Sequence, residues 1–287
     1  MIIVRIWEGL GNQMFQYAYA RALKEKGRDV RIDLDKAYDD VFRKYRNSAS
    51  RENSVQNFRL SLFPLNMKRY RKYNYINRDT CVREAIYWLQ ANSLWKYKFY
   101  EEREPGYSES MEEIEGNYYI KGWFQSEEYF KSIRPILLKE FVPRKKLRIP
   151  GKLRAALNDS ESVSLHVRRG DYVRLNLALD IGYYVKAMEY MEQIYENPIF
   201  VVFSDDLEWV KKNLPIKGRF ILANEDKNLK DYEELFLMSR CRSNIISNST
   251  FSWWGAWLNQ NRNKVVIAPK KWYKAQRNIV PKEWTVL

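Results

Sequence analysis

From Ser162 to Ala268 short, β-branched apolar runs alternate with longer stretches of helical spacing, and that alternation leaves few folds open. Strands are expected at Ser162 to Val167, Ile199 to Ser204, Phe220 to Leu222, Asn244 to Ser247 and Lys264 to Ala268. Helices are expected between them, over Gly182 to Tyr195, Leu207 to Leu214, Lys230 to Cys241 and Phe251 to Gln260. A helix connecting two strands makes the βαβ unit, in which the strands run parallel. The N-terminus has the same grammar. Ile2 to Trp7 reads as a strand, Gly9 to Asn12 as a turn, Gln13 to Lys26 as a helix stopped by Gly27, and Asp29 to Leu34 as a second strand.

Between these regions the signal weakens. Residues 36 to 115 are rich in Arg, Lys and Tyr, with short apolar clusters such as Ile86 to Leu89, and read as helices and irregular segments. Asn117 to Phe124 is an expected strand, and Glu127 to Phe141 an expected helix. The basic stretch Val142 to Pro150 is bounded by prolines and reads as a linker. The expected architecture is therefore α/β, with two Rossmann-like domains and a cleft between them. Their bounds are 1–150 and 151–287, with the C-terminal tail able to pack back on the first.

Composition removes several chemistries. His166 is the sole histidine, so metal sites built on two or three imidazoles are excluded. Cys81 and Cys241 have no metal-ligand spacing and no disulfide framework. No apolar run is long enough to span a bilayer, and Met1 to Ile6 reads as a buried strand, not a signal peptide. A cytoplasmic location is the expectation. The 50 Lys and Arg against 36 Asp and Glu give a net charge of +14, which suits an anionic partner. No basic-aromatic motif for nucleic acid stands out, so none is expected as a partner. Lys68-Arg69-Tyr70-Arg71-Lys72 reads as a solvated face or as a peripheral contact with an anionic membrane.

Ligands of parallel sheets bind beyond the carboxyl ends of strands, so the turns after the strands carry the chemistry. In Trp7-Glu8-Gly9-Leu10-Gly11-Asn12-Gln13, the two glycines permit close backbone approach, and a helix start offers N–H groups to an anion. A plain tight turn is the alternative. The stretch also approaches a dinucleotide fingerprint, with Met14 in place of the third glycine and Asp33 near the ribose-binding position. A strand then runs into His166-Val167-Arg168-Arg169-Gly170-Asp171. His166 and Arg168 share one face. Guanidinium suits phosphate, and the second Arg can hold the loop through a carboxylate; a surface ion-pair cluster is the alternative. In Ser204-Asp205-Asp206, Asp205 suits a guanine edge, while Ser204 or Asp206 suits a helix cap. In Ser249-Thr250-Phe251-Ser252, the small hydroxyls suit either capping or phosphate.

Taken in order, these motifs resemble the α1,2-fucosyltransferase family. Gly9-Leu10-Gly11-Asn12-Gln13-Met14-Phe15-Gln16-Tyr17-Ala18 is similar to its N-terminal signature, and His166 to Val173 to its central motif. Ser204-Asp205-Asp206 and Asn248 to Gly255 are similar to its later ones. The resemblance implies a GT-B-like fold, GDP-fucose as donor, a galactose-containing glycan as acceptor, inversion at the anomeric carbon, and neither cofactor nor metal. It implies Arg168 on the donor β-phosphate, His166 by the nucleotide, Asp205 on the guanine, Thr250 and Ser252 at phosphate, and Asn12 near the transferred sugar. Gly9, Gly11, Gln13 and Arg169 would support these loops. The acceptor hydroxyl must also lose a proton to a carboxylate. Asp171, Asp180, Glu8 and Glu127 are the candidates, and Asp171 serves equally to orient the Arg pair. A nicotinamide oxidoreductase using the Gly9/Gly11 turn and a non-catalytic carbohydrate-binding protein are the competing readings.

Overall fold

The computed structural model describes residues 1–34, 63–70, 97–147, 149–226, 228–272 and 279–287. Cys81 and the cluster Ile86 to Leu89 lie outside them. The chain divides into two compact units, Met1–Arg144 and Lys145–Leu287. Among the described residues, no helix is long and apolar enough to cross a membrane.

The first unit is built on strands β1 (Ile2–Arg5), β2 (Val30–Asp33), β3 (Lys98–Glu101) and β4 (Tyr118–Lys121). They form a parallel sheet in the order β2-β1-β4-β3. Every residue of β1 is buried, as expected of a central parallel strand covered on both faces. Helix α1 spans Leu10–Glu25 and buries Leu10, Met14, Phe15, Tyr17 and Ala18. It begins three residues earlier than the spacing suggested. Gly9 is the N-cap, so Gly11 and Asn12 lie in the first helical turn. The reversal of direction is made by Glu8, whose φ of 65° is left-handed, a conformation unusual for a residue with a side chain.

Two further expectations change in this unit. The helix foreseen from Glu127 to Phe141 is broken into two 3₁₀ turns, Glu127–Tyr129 and Lys131–Ile133, followed by α3 (Arg134–Glu140) after the short α2 (Glu109–Glu112). Pro135 has no N–H to continue the ladder, and it sits where a new helix starts. Asp33, placed by sequence near a ribose, is fully buried. It faces Arg5 at 3.6 Å and accepts a 2.7 Å hydrogen bond from the Tyr119 hydroxyl. Its carboxylate belongs to the core, which removes the acidic residue that a nicotinamide site would need.

The second unit carries α4 (Gly151–Leu157), β5 (Ser162–Val167), α5 (Gly170–Arg174), α6 (Ile181–Ile194), β6 (Ile199–Ser204), α7 (Leu207–Asn213) and β7 (Arg219–Leu222). There follow α8 (Asp231–Met238), β8 (Ser243–Ile245), α9 (Thr250–Leu258), β9 (Val266–Ala268) and β10 (Thr285–Val286). The sheet order is β10-β9-β8-β5-β6-β7, all parallel. The chain lays β6 and β7 on one side of β5, then crosses back to lay β8 on the other. The switch point of the winding, where a crevice opens, is therefore at the carboxyl end of β5. The C-terminal strand β10 pairs in parallel with β9, with Thr285 beside Ile267 and Val286 beside Ala268.

Strand β5 shows two faces. Val163, Leu165 and Val167 pack with Tyr184, Ala187, Met188 and Met191 of α6. The alternate residues are polar, and each reaches the 242–247 segment. Ser162 Oγ accepts from Arg242 N–H at 3.0 Å, Ser164 Oγ accepts from Asn244 Nδ2 at 2.6 Å, and His166 Nδ1 lies 2.9 Å from Ser247 Oγ. Buried polar groups need partners, and here the partners form a ladder that fixes β5 against β8.

Candidate active site

At the upper end of that ladder sits His166, 5% exposed. Burial, aided by the charge of Arg168, pushes its pKa down to about 3, so the ring is neutral at physiological pH. Ser252 Oγ donates to the Ser249 carbonyl at 3.3 Å and lies 3.4 Å from Ser247 Oγ. If each hydroxyl donates once along this chain, Ser247 donates to Ser252 and His166 Nδ1–H donates to Ser247. Nε2 then keeps its lone pair. The Ser252 hydroxyl is thus turned inward and fully buried, while Thr250 is half-buried at the start of α9. The helix cap is neither of these: Ser249 accepts from Phe251 N–H at 3.3 Å.

Beyond His166 the strand ends and Arg168 begins the turn. Its guanidinium is held by two carboxylates, Nη2 donating to Asp171 Oδ1 at 2.6 Å and Nη1 lying 2.9 Å from Asp205 Oδ2. The other Asp205 oxygen accepts the Arg169 N–H at 2.8 Å. Both Asp205 oxygens are therefore engaged with the Arg pair. Gly170 makes this possible: a Cβ there would stand 2.6 Å from Asp205 Oδ2. The Arg169 guanidinium lies over Trp209, 3.7 Å from the ring centre, and its Nε is 3.4 Å from Asp206. Asp206 in turn caps α7 by accepting Trp209 N–H at 3.0 Å. The two adjacent arginines have different work. One is poised at the crevice with part of its donor fork uncommitted; the other pins the loop.

Short helix α5 links this turn to the start of α9. The Tyr172 hydroxyl donates to the Asn248 carbonyl at 3.3 Å, and Asn248 Nδ2 donates to the Leu177 carbonyl at 2.9 Å. A guanidinium, a neutral imidazole and a helix N-terminus are thereby assembled on one sheet rim. That combination neutralises phosphate oxygens without a proton transfer. A groove of about 670 Å³, lined by Lys152, Asp159, Lys211, Arg219, Phe220 and Glu225, follows the outer strand β7 and contains none of these residues.

In the first unit the residues around the first turn form a second cluster. Asn12 Nδ2 donates to Glu8 Oε2, and Trp123 Nε1 donates to the same oxygen at 3.0 Å. Gln125 Nε2 donates to Asn12 Oδ1 at 2.8 Å, and Gln13 Nε2 donates to the Glu8 carbonyl at 2.7 Å. Gln13 and Gly11 are buried supports, while space is open around Gly9. Of the four candidate carboxylates, Asp180 caps α6 through Gly182 N–H at 2.7 Å, and Asp171 is paired with Arg168. Glu127 opens a 3₁₀ turn. Glu8 is half-buried and aimed by two side-chain donors. Sequence reasoning missed Trp209 as the platform for Arg169 and Gly170 as the seat of Asp205. Neither leaves a pattern along the chain.

The profile of the family described as glycosyl transferase family 11 matches residues 1–287. The chain is 31% identical over 286 residues to the O-antigen biosynthesis glycosyltransferase WbnK of Escherichia coli, covering 92% of each chain. It is 30% identical over 306 residues to an alpha-1,2-colitosyltransferase of Escherichia coli, covering 99% of this chain and 98% of that one. A shorter match, 28% over 154 residues, relates 48% of the chain to 42% of the galactoside alpha-(1,2)-fucosyltransferase 1 of Homo sapiens.

Proposed function

The chain belongs to glycosyl transferase family 11, and from that membership we propose that it moves L-fucose from GDP-fucose to a galactose hydroxyl, the 2-OH, of an oligosaccharide or O-antigen acceptor, with inversion. The observation that carries the reading is Arg168, held by Asp171 and Asp205 at the switch point of a parallel sheet. Departure of GDP leaves negative charge on the β-phosphate oxygen. A guanidinium already in place stabilises that charge without reorganisation. Asp171 is the more exposed of its two partners, at 44% against 27%, so it is the one a phosphate displaces. Backbone N–H groups at Thr250 to Ser252 add the positive end of a helix dipole. The acceptor oxygen attacks the anomeric carbon from the face opposite GDP and passes its proton to a carboxylate.

The same proposal assigns the donor to residues 151–287, with His166, Arg168, Asp171, Asp205, Thr250 and Ser252, and the acceptor to residues 1–150, with Asn12 near the sugar. It includes a GT-B-like pair of Rossmann-like domains facing across a cleft, supported by a parallel sheet in each unit. Reaction without a divalent cation, a cytoplasmic location and peripheral contact with an anionic membrane belong to it as well. A donor carrying colitose instead of fucose is the second reading, favoured by the relative that bears that activity in its name. The test is an acceptor screen with GDP-fucose and GDP-colitose in EDTA, read by mass and linkage analysis. Transfer of either sugar to O2 of galactose is the expected result. No transfer to any galactoside from either donor overturns the reading.

A further inference from the structure

The reading above needs a group that recognises guanine, and Asp205 is poorly free to do so. Its two oxygens are taken by Arg169 N–H and by Arg168. A different carboxylate stands beyond the carboxyl ends of β6 and β7. After β7 the chain turns through Asn224, whose side chain clasps the peptide of Leu229. Leu229 N–H donates to Asn224 Oδ1 at 2.9 Å, and Asn224 Nδ2 donates to the Leu229 carbonyl at 3.1 Å. The same Nδ2 also donates to Glu234 Oε1 at 2.5 Å. Asn224 thus brackets one acidic side chain.

Three acidic residues open helix α8, and they divide the work. The Glu233 carboxylate accepts Lys230 N–H at 2.8 Å, reaching back from the third helical position to the residue that precedes the helix. Asp231 Oδ1 accepts Tyr232 N–H at 2.8 Å. Both serve the helix end. Glu234 serves no helix N–H. It is half-buried, and no described residue donates a hydrogen bond to its Oε2. Burial, with the negative charge of Asp205 nearby and the Asn224 bond opposing, raises its pKa to about 7. A carboxylate withdrawn from water with one oxygen unserved is an unfavourable state, relieved by a ligand that brings N–H donors.

Guanine brings two such donors side by side, N1–H and the 2-amino group, whereas adenine presents an acceptor at N1. An ionised carboxylate is acceptor-only, so it pairs with the first edge and repels the second. We propose that Glu234, bracketed by Asn224, reads the N1–H and 2-amino edge of the donor's guanine and so selects a guanine nucleotide, while Asp205 holds Arg168 for the phosphates. This rests on the reading of the donor as a GDP-sugar and deepens it.

The experiment measures binding of GDP, IDP and ADP to the full chain by calorimetry, for the unaltered protein and for Glu234→Gln and Glu234→Asp. IDP lacks only the 2-amino group. The unaltered protein should bind GDP about tenfold tighter than IDP, and ADP weakest, since each buried donor–acceptor pair carries about a tenfold preference. Glu234→Gln keeps an oxygen for Asn224, and it should bring the GDP-to-IDP ratio to about one. Glu234→Asp retains the charge and should recover part of the ratio. A ratio unchanged in Glu234→Gln, with the variant folded by its melting curve, overturns the proposal and leaves the donor reading standing. An unaltered protein that prefers ADP to GDP overturns both.

Discussion

Gly170 and Asp205 meet so closely that a methyl group at Gly170 would lie 2.6 Å from the Asp205 carboxylate. Gly170 is the first residue of α5, where alanine would otherwise favour the helix by up to about 1 kcal/mol. The two effects separate in Gly170→Ala. Its melting temperature should stay close to that of the unaltered protein, because the helix gain offsets the displaced carboxylate. GDP binding should weaken about tenfold, because Asp205 no longer steadies Arg168. A variant binding GDP as tightly as the parent would show that this ion pair has no part in donor recognition.

Arg168→Ala should lower the transfer rate by about 10²–10³ while leaving the circular dichroism spectrum unchanged. Arg168→Lys should restore little, since an ammonium cannot span Asp171 and Asp205 with the planar geometry of a guanidinium. Initial rates at saturating donor decide the matter. Turnover within twofold of the parent in Arg168→Ala would remove the role assigned to the guanidinium.

Glu8 joins a left-handed backbone to a carboxylate aimed by Asn12 and Trp123. Strain of about 1–2 kcal/mol kept in such a position points to a task for the side chain. We assign it the acceptor's proton. Glu8→Gly should melt at or above the parent's temperature and yet lose at least about 10² in transfer rate. Glu8→Gln should lose a similar amount with donor affinity unchanged. Full activity in either variant, assayed at saturating acceptor, would return the choice to the other carboxylates.

His166 links acidity to stability. Its pKa is lowered to about 3 in the folded chain, by burial first and Arg168 second, against about 6.5 when unfolded. The unfolded chain therefore binds the extra proton between those values. The contribution is fully present above pH 6.5 and is lost as pH falls toward 3, by about 1.4 kcal/mol per pH unit. Denaturant melts at pH 7, 6 and 5 should show His166→Gln losing stability less steeply than the parent. Parallel curves would mean that the ring takes up its proton without cost in the folded state.

Much of this was legible before the structure, and the exceptions have physical reasons. Ile199 to Ser204 reads as a strand because a parallel strand covered on both faces leaves a nearly continuous apolar run, and Ser162 to Val167 because Val163, Leu165 and Val167 alternate with the polar residues of its other face. The edge strand Lys98–Glu101 carries charges and is partly exposed, so nothing in its composition marks it. The first turn was placed on its glycines, whereas Glu8 makes the reversal; propensity gives no warning of a non-glycine at positive φ. Asp33 has the sequence position of a ligand-binding acid, but Arg5 and Tyr119, distant along the chain or on another strand, engage its carboxylate in the core. The Arg-Arg-Gly-Asp cluster could be picked out from residue types. Which arginine faces the crevice depended on Trp209 and Asp206, forty residues downstream at most and invisible to local spacing.

The three rungs from Ser162, Ser164 and His166 have a kinetic consequence. They join the strand that delivers Arg168 to the segment that delivers Thr250, so both flanks of the proposed anion subsite are tied together. A nucleotide arriving at the proposed subsite meets two flanks that are already joined. Its capture should be governed by diffusion and long-range attraction, slowing as ionic strength rises, and its residence time by how quickly Asp171 returns to Arg168.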